Sequence, residues 1–201
     1  MPKNTRKGTS RGYSDRKVGT RKLRERFLIV CEGEKTEPNY FKSFRVPKDV
    51  IVIRGFGYNP SKLVEEAKTL NAQGDYNQVW CVFDRDDCPK QDFKNAIKEA
   101  EKAEFKVAYS NQSFELWYVL HFEFLNSALP RKDYISKLEK SLKHKYKKNS
   151  DSIYEEIEHL QATAIKNATN LLKQYNKPNP ESDNPSTTVH LLVVELNKFI
   201  P

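Results

Sequence analysis

Two groups of acids each follow an apolar run: Glu32 and Glu34 after FLIVC, and Asp84, Asp86 and Asp87 after VWCVF. In an open α/β sheet the loops leaving the carboxyl ends of parallel strands converge, so acids from two such loops can meet in space. Crowded carboxylates repel one another, and a hard divalent cation such as Mg²⁺ or Mn²⁺ relieves that repulsion. In an extended segment residues i and i+2 point the same way, so Asp84 and Asp86 are expected to share one ion, with Arg85 directed elsewhere. Glu32 is positioned to ligate metal or to act as a general base, and Gly33 lets the backbone turn sharply or approach a phosphate closely. Lys35 is the nearest cation for steadying charge on a phosphoryl oxygen.

Glu34 and Glu37 read as acids that begin a helix, where they favour its dipole. Glu115, in SNQSFELW, either completes a second metal position or is an ordinary first-turn acid. Asn111 and Ser113 fall at the same expected sheet edge, where they bond phosphate or water, or serve as turn and capping residues. His121 sits on an apolar helix face as a core residue, and His144, His159 and His190 share no ligand spacing. Cys31 and Cys81 lie inside strand runs as small buried hydrophobes, and with Cys88 they form no C-x-x-C pair. No G-x-x-x-x-G-K-[ST] loop is present, and Gly55-x-Gly57 lacks a third glycine, so neither an ATPase nor a dinucleotide fold is supported.

The elements that must position these groups alternate. Strands are expected at Phe27–Cys31, Val50–Arg54, Gln78–Phe83 and Phe105–Tyr109. Helices are expected from Thr36 or Pro38 to Phe44, from a Ser61 cap to about Gln73, and over Pro89–Lys102. This order implies βαβ units and a mostly parallel, doubly wound sheet. Past Ser110 the pattern is helical: one helix capped by Ser113, then Tyr134–Tyr146, Ser152–Tyr175 and Thr187–Phe199, the last reached through a Ser186 cap. Lys143, Lys145, Lys147 and Lys148 form a basic run that contacts phosphate or is simply a solvated face.

With 201 residues and a net charge of +8, the chain is long enough for one domain with a small appendage. The whole excess lies in residues 1–26, with ten Lys or Arg and two acids; the other 175 residues carry 25 of each sign. Such an arm cannot bury enough apolar surface to order itself, but it can neutralise phosphates. Arg6, Lys7, Arg11, Arg16, Lys17, Arg21 and Lys22 are its candidate nucleic-acid contacts. The expected layout is an arm over 1–26, an α/β domain over 27–125 and a helical C-terminal extension over 126–201 packed on it. No apolar run approaches the ~20 residues needed to cross a bilayer. The amino-terminal segment lacks a secretory core, so a cytoplasmic location is expected.

Taken in order, CEGEKTEPNYF, FDRDD, SNQSFELWYVLHF and NPSTTVHLLVVEL resemble the RloB-like family, from about Arg26 onward. That family is related to Toprim domains and associated with restriction loci and phage abortive infection. The resemblance implies a Toprim-like Rossmannoid sheet, with Glu32 as acid/base or ligand and Asp84 and Asp86 as Mg²⁺ ligands. Glu115 would supply the extra acid of nuclease-type members. It further implies metal-dependent phosphodiester hydrolysis in anti-phage defence, often alongside a partner ATPase of the AAA or ABC type. The alternative is a non-catalytic nucleic-acid or nucleotide-binding effector of that ATPase. No base-reading motif separates DNA from tRNA or other RNA, and none sets the oligomeric state.

Overall fold

A computed structural model describes residues 25–86 and 88–200. The basic arm residues expected to bind nucleic acid, Arg6 through Lys22, and Asp87 lie outside the described residues. Four strands, β1 (Phe27–Cys31), β2 (Ile51–Gly55), β3 (Gln78–Asp84) and β4 (Lys106–Asn111), run parallel, and β5 (Ser186–Thr187) closes one edge antiparallel to β4, in the order β2-β1-β3-β4-β5. The expected α/β class with a mostly parallel sheet is the fold observed.

Both faces of the sheet are covered, which explains why the strands read as apolar runs rather than as alternations. Leu28, Val30, Val79, Cys81 and Phe83 pack against α2 (Pro60–Asn71) and α3 (Lys90–Lys102). Phe27, Ile29, Cys31, Trp80 and Val82 point to the other face, into a larger core built by α1 (Thr36–Lys42) and the carboxyl-terminal helices. Those helices are α4 (Glu115–Val119), α5 (Arg131–Leu142), α6 (Ile153–Ile157), α7 (Gln161–Leu172) and α8 (Val189–Asn197). Among the described residues, no helix is long and apolar enough to cross a membrane.

The segment after residue 125 does more than pack on the sheet. It adds β5, whose Thr187 and Ser186 pair with Ser110 and Asn111, and its helices share one core with β1 and β3. Ser186, expected to cap the last helix, is instead a strand residue whose Oγ donates to the Asp183 carbonyl at 2.7 Å. The helix expected over 152–175 is broken by a 3-10 turn at Glu158–Leu160. Lys143, at φ 62°, ends α5 short of Tyr146.

At the start of α2 the cap is Asn59, which accepts from the Lys62 N–H at 2.9 Å, with Pro60 in the first turn. Proline preorganises that turn and needs no partner for its nitrogen, which moves the helix start ahead of Ser61. The Ser61 hydroxyl donates to the Asp92 carbonyl at 3.3 Å and ties α2 to α3.

β1 and β3 are neighbours, yet the chain leaves β1 toward α1 on one face and leaves β3 toward α3 on the other. A crevice opens where these connections part, and in doubly wound sheets that switch point is where ligands bind.

Candidate active site

Glu32 is the residue after β1 and Asp84 the last residue of β3, so sheet register brings them together: Cys31 pairs with Val82, and the Glu32 N–H donates to the Val82 carbonyl at 2.8 Å. The Asp84 N–H in turn donates to Glu32 Oε2 at 2.9 Å. Asp84 Oδ2 accepts from the Phe114 N–H at 3.2 Å, linking this acid to the turn that begins α4.

The crevice above them has a volume of about 530 Å³. Its acidic lining is Glu32, Glu34, Glu37, Asp84 and Asp86, and its basic lining is Lys35, Arg131 and Lys148. Gly33, Gly57 and Tyr58 complete the approach from the β1 and β2 ends. A larger groove of about 690 Å³ beside α3, α7 and α8 is mainly apolar. His190, on its wall, is buried, which pushes its pKa down to about 4 and keeps it neutral.

Glu37, expected merely to begin a helix, lies in the first turn of α1 with its carboxylate buried at 6% exposure against Gly33. A methyl group on Gly33 would stand 2.0 Å from Glu37 Oε2, so the glycine is what gives this acid its place. Glu37 Oε2 has no hydrogen-bond partner among the described residues. Glu115 sits behind the pocket wall at 2% exposure, where its Oε1 accepts from the Tyr146 hydroxyl at 3.3 Å. Glu34 points instead toward Gly57, whose φ of +66° is a left-handed conformation suited to glycine.

Glu37 is buried and Glu32 and Asp84 are half-buried beside it, and these three acids resist ionising. Burial lifts the Glu32 carboxyl to about 7, helped by repulsion from Asp86 and Glu37 and opposed by the Asp84 N–H and Arg131. Asp84 is raised well above the carboxylate range, first by burial and then by Glu37, Glu115 and Glu32, against Arg131. Glu37 is raised by burial and by Glu115, while Lys148 and backbone N–H groups favour its charge.

Asp84 ends the strand and Asp86 sits in a bend beyond it, and both line the pocket. Asp86 Oδ1 accepts from the Cys88 N–H at 2.9 Å and its Oδ2 from Arg131 Nη2 at 3.0 Å. Arg85 does point elsewhere, to the carbonyls of Glu181 at 3.2 Å and Cys88 at 3.2 Å. As oriented, no three His, Cys, Asp or Glu side chains among the described residues are grouped to hold a metal ion. The donor set is all oxygen and its repulsion is unrelieved at the orphaned Glu37 Oε2, which is chemistry that fits a hard divalent cation once the side chains turn toward it.

Asn111 and Ser113 do not reach the pocket. Asn111 Nδ2 donates to the Asp183 carbonyl at 2.9 Å, bracing β4 against the loop before β5. Ser113 is buried with an unpartnered Oγ and does not cap α4, because its carbonyl, not its hydroxyl, takes the Leu116 N–H at 3.0 Å. Lys35 and Gly33 do line the pocket. His121 donates or accepts through Nδ1 at the Trp117 carbonyl, 2.9 Å, and burial lowers its pKa to about 4, as befits a core residue. Burial raises the Cys88 thiol to about 11, so it is not an activated nucleophile.

Arg131, Lys148, Asn149 and Tyr58 are the pocket residues that the motifs did not mark. Lys148 had one signal, its place in the basic run 143–148. Arg131 had none, since it is brought in by the packing of α5.

Neither the curated proteins nor the solved structures contain a match to this chain. A family model described as RloB-like protein matches residues 27–196, and that span includes every described acid of the site. On that match, the chain belongs to the RloB-like family.

Proposed function

We propose that this protein is a Mg²⁺- or Mn²⁺-dependent nuclease that hydrolyses nucleic-acid phosphodiesters in the cytoplasm as part of bacterial anti-phage defence by abortive infection. An AAA- or ABC-type ATPase is its proposed partner. The observation that carries this reading is the close group of buried Glu37 with half-buried Glu32 and Asp84, and Asp86 and Glu115 beside it, at the switch point of the sheet and facing Arg131, Lys148 and Lys35. The similarity of its motifs to Toprim domains selects the same strand ends.

In this reading Glu32, Asp84 and Asp86, with Glu37 and Glu115 behind them, hold the cation. When bound, a divalent ion polarises a phosphoryl oxygen and lowers the pKa of its water. Glu32 would either ligate that ion or, left out of its shell, take or give a proton near neutral pH, its carboxyl lying near 7 without metal. Lys35, Lys148 and Arg131 offer positive charge to the phosphate, and Tyr58, its ring against Phe56 at 5.2 Å and Lys62 Nζ at 3.9 Å, walls the pocket edge.

A panel of duplex and single-stranded DNA, tRNA and structured RNA, incubated with Mg²⁺ or Mn²⁺, tests it. Cleavage by the wild type that disappears in Asp84→Ala/Asp86→Ala supports the nuclease reading and names the substrate; cleavage that persists in the double variant sinks it. The Asp86–Arg131 pair favours a second reading, a non-catalytic effector that binds nucleic acid or nucleotide for its ATPase. That reading requires binding without turnover, including when the ATPase is supplied.

A further inference from the structure

Arg131 is the first residue of α5 and reaches across the pocket wall to Asp86, with Nη2 3.0 Å from Oδ2 and 3.5 Å from the Gln112 carbonyl. Asp86 thereby has one oxygen on a backbone N–H and the other on a guanidinium. An arginine does not give up its proton, so a metal cation that binds that oxygen competes with the guanidinium. The orientation that keeps Asp86 out of a common ligand set is the one Arg131 stabilises.

The same guanidinium is a planar fork matched to two phosphate oxygens. Among the described residues Lys35, Lys148 and Arg131 are the bases that a phosphodiester entering the pocket would meet. The positive group best shaped to grip that phosphate is tied up in the metal-free state.

We propose that Arg131 is a substrate-binding residue with two positions: it holds Asp86 while no metal is present, and it transfers to a non-bridging phosphate oxygen of the substrate when a divalent cation takes Asp86. This rests on the metal site proposed above. Arg131 therefore opposes metal binding and favours phosphate binding. A residue that only stapled α5 to the loop after β3 would support both or neither.

The test is calorimetric titration of the full chain with Mn²⁺ alone, then with a phosphorothioate-linked dinucleotide at saturating Mn²⁺. Arg131→Gln is expected to bind Mn²⁺ roughly tenfold more tightly, the effect of removing one competing positive charge. It is expected to bind the dinucleotide roughly tenfold more weakly, since glutamine cannot reproduce the charge-assisted bidentate grip. Arg131→Lys, which keeps the charge but not the fork, falls between on both. Unchanged or weaker Mn²⁺ binding in Arg131→Gln, or unchanged dinucleotide binding, overturns the proposal. Asp84→Asn separates the two failures: if the wild type binds Mn²⁺ and this variant does not, the metal site stands whatever Arg131 does. A wild type that binds no Mn²⁺ removes the metal site and the proposal together.

Discussion

The backbone N–H of Asp84 donates to Glu32 Oε2 at 2.9 Å, joining two acids 52 positions apart in sequence. The contact follows from register: Cys31 pairs with Val82, so Glu32, just past β1, lies beside the last two residues of β3, Phe83 and Asp84. It leaves one oxygen of Glu32 directed to a crevice whose other acids repel it. A hydrogen bond to a backbone N–H favours the charged carboxylate, yet burial outweighs it and the group is displaced upward to about 7.

Metal-free stability should therefore depend on pH through Glu32. In the unfolded chain a glutamate titrates near its ordinary value of 4.5, and in the folded one near 7, so between these the native state binds the extra proton. Stability from this group is present below about 4.5 and is lost as pH rises through 7. Glu32→Gln lacks that dependence. Melting without divalent ions should show the variant gaining on the wild type from pH 4.5 to 7.5, by up to about 3 kcal/mol, and level beyond. A gap that stays constant with pH would show that Glu32 is not displaced.

Asp84 carries the conflict between function and stability. Its carboxyl is repelled by Glu37, Glu115 and Glu32, while an asparagine keeps an oxygen for the Phe114 N–H. Asp84→Asn is expected to stabilise the metal-free protein by about 1–2 kcal/mol and to abolish Mg²⁺-dependent cleavage. Denaturant unfolding and a cleavage assay on the same preparation check the pair. A destabilised variant would mean that the acid is held by attraction rather than tolerated against repulsion.

How much of this was legible in the sequence differs by residue. β1 and β3 announced themselves as apolar runs, and an acid directly after each marked the crevice, because strand ends in a doubly wound sheet have nowhere else to converge. Glu37 was read only as a helix-starting acid, since nothing in one dimension tells a solvated first turn from one folded back onto Gly33. Ser113 and Ser186 have the residue type of caps but are buried in other roles, and only tertiary packing decides that. The pairing of β5 with β4 rests on two residues, too few to register as a strand. Arg131 belongs to the site only because α5 docks there.

Gly33 is expected to be intolerant of the smallest side chain. An alanine there would place its methyl 2.0 Å from Glu37 Oε2, 2.8 Å from Cδ and 2.9 Å from Oε1, forcing the buried carboxyl to move. Gly33→Ala should cost about 1–3 kcal/mol and weaken Mn²⁺ binding. Adding Glu37→Ala should recover most of the stability, because the clash is with that side chain, but not the metal affinity. Thermal melts and Mn²⁺ titration of the single and double variants decide it; additive losses in the double variant would place the strain in the backbone instead.

The amino-terminal arm supplies the last test, because ten Lys and Arg in residues 1–26 hold all of the chain's net positive charge. If the arm binds the nucleic-acid backbone, each phosphate it neutralises releases counterions and steepens the fall of log K with log salt by about 0.7–0.9. Removing residues 1–24 should flatten the slope by that amount for every phosphate the arm had neutralised, while leaving Mn²⁺ binding unchanged, since the acids of the pocket lie wholly within the family-matched span. Fluorescence anisotropy of a labelled oligonucleotide from low to moderate salt measures it. An unchanged slope would assign the phosphate-binding role to the pocket rim and the lysines of 143–148 and leave the arm without a part in binding.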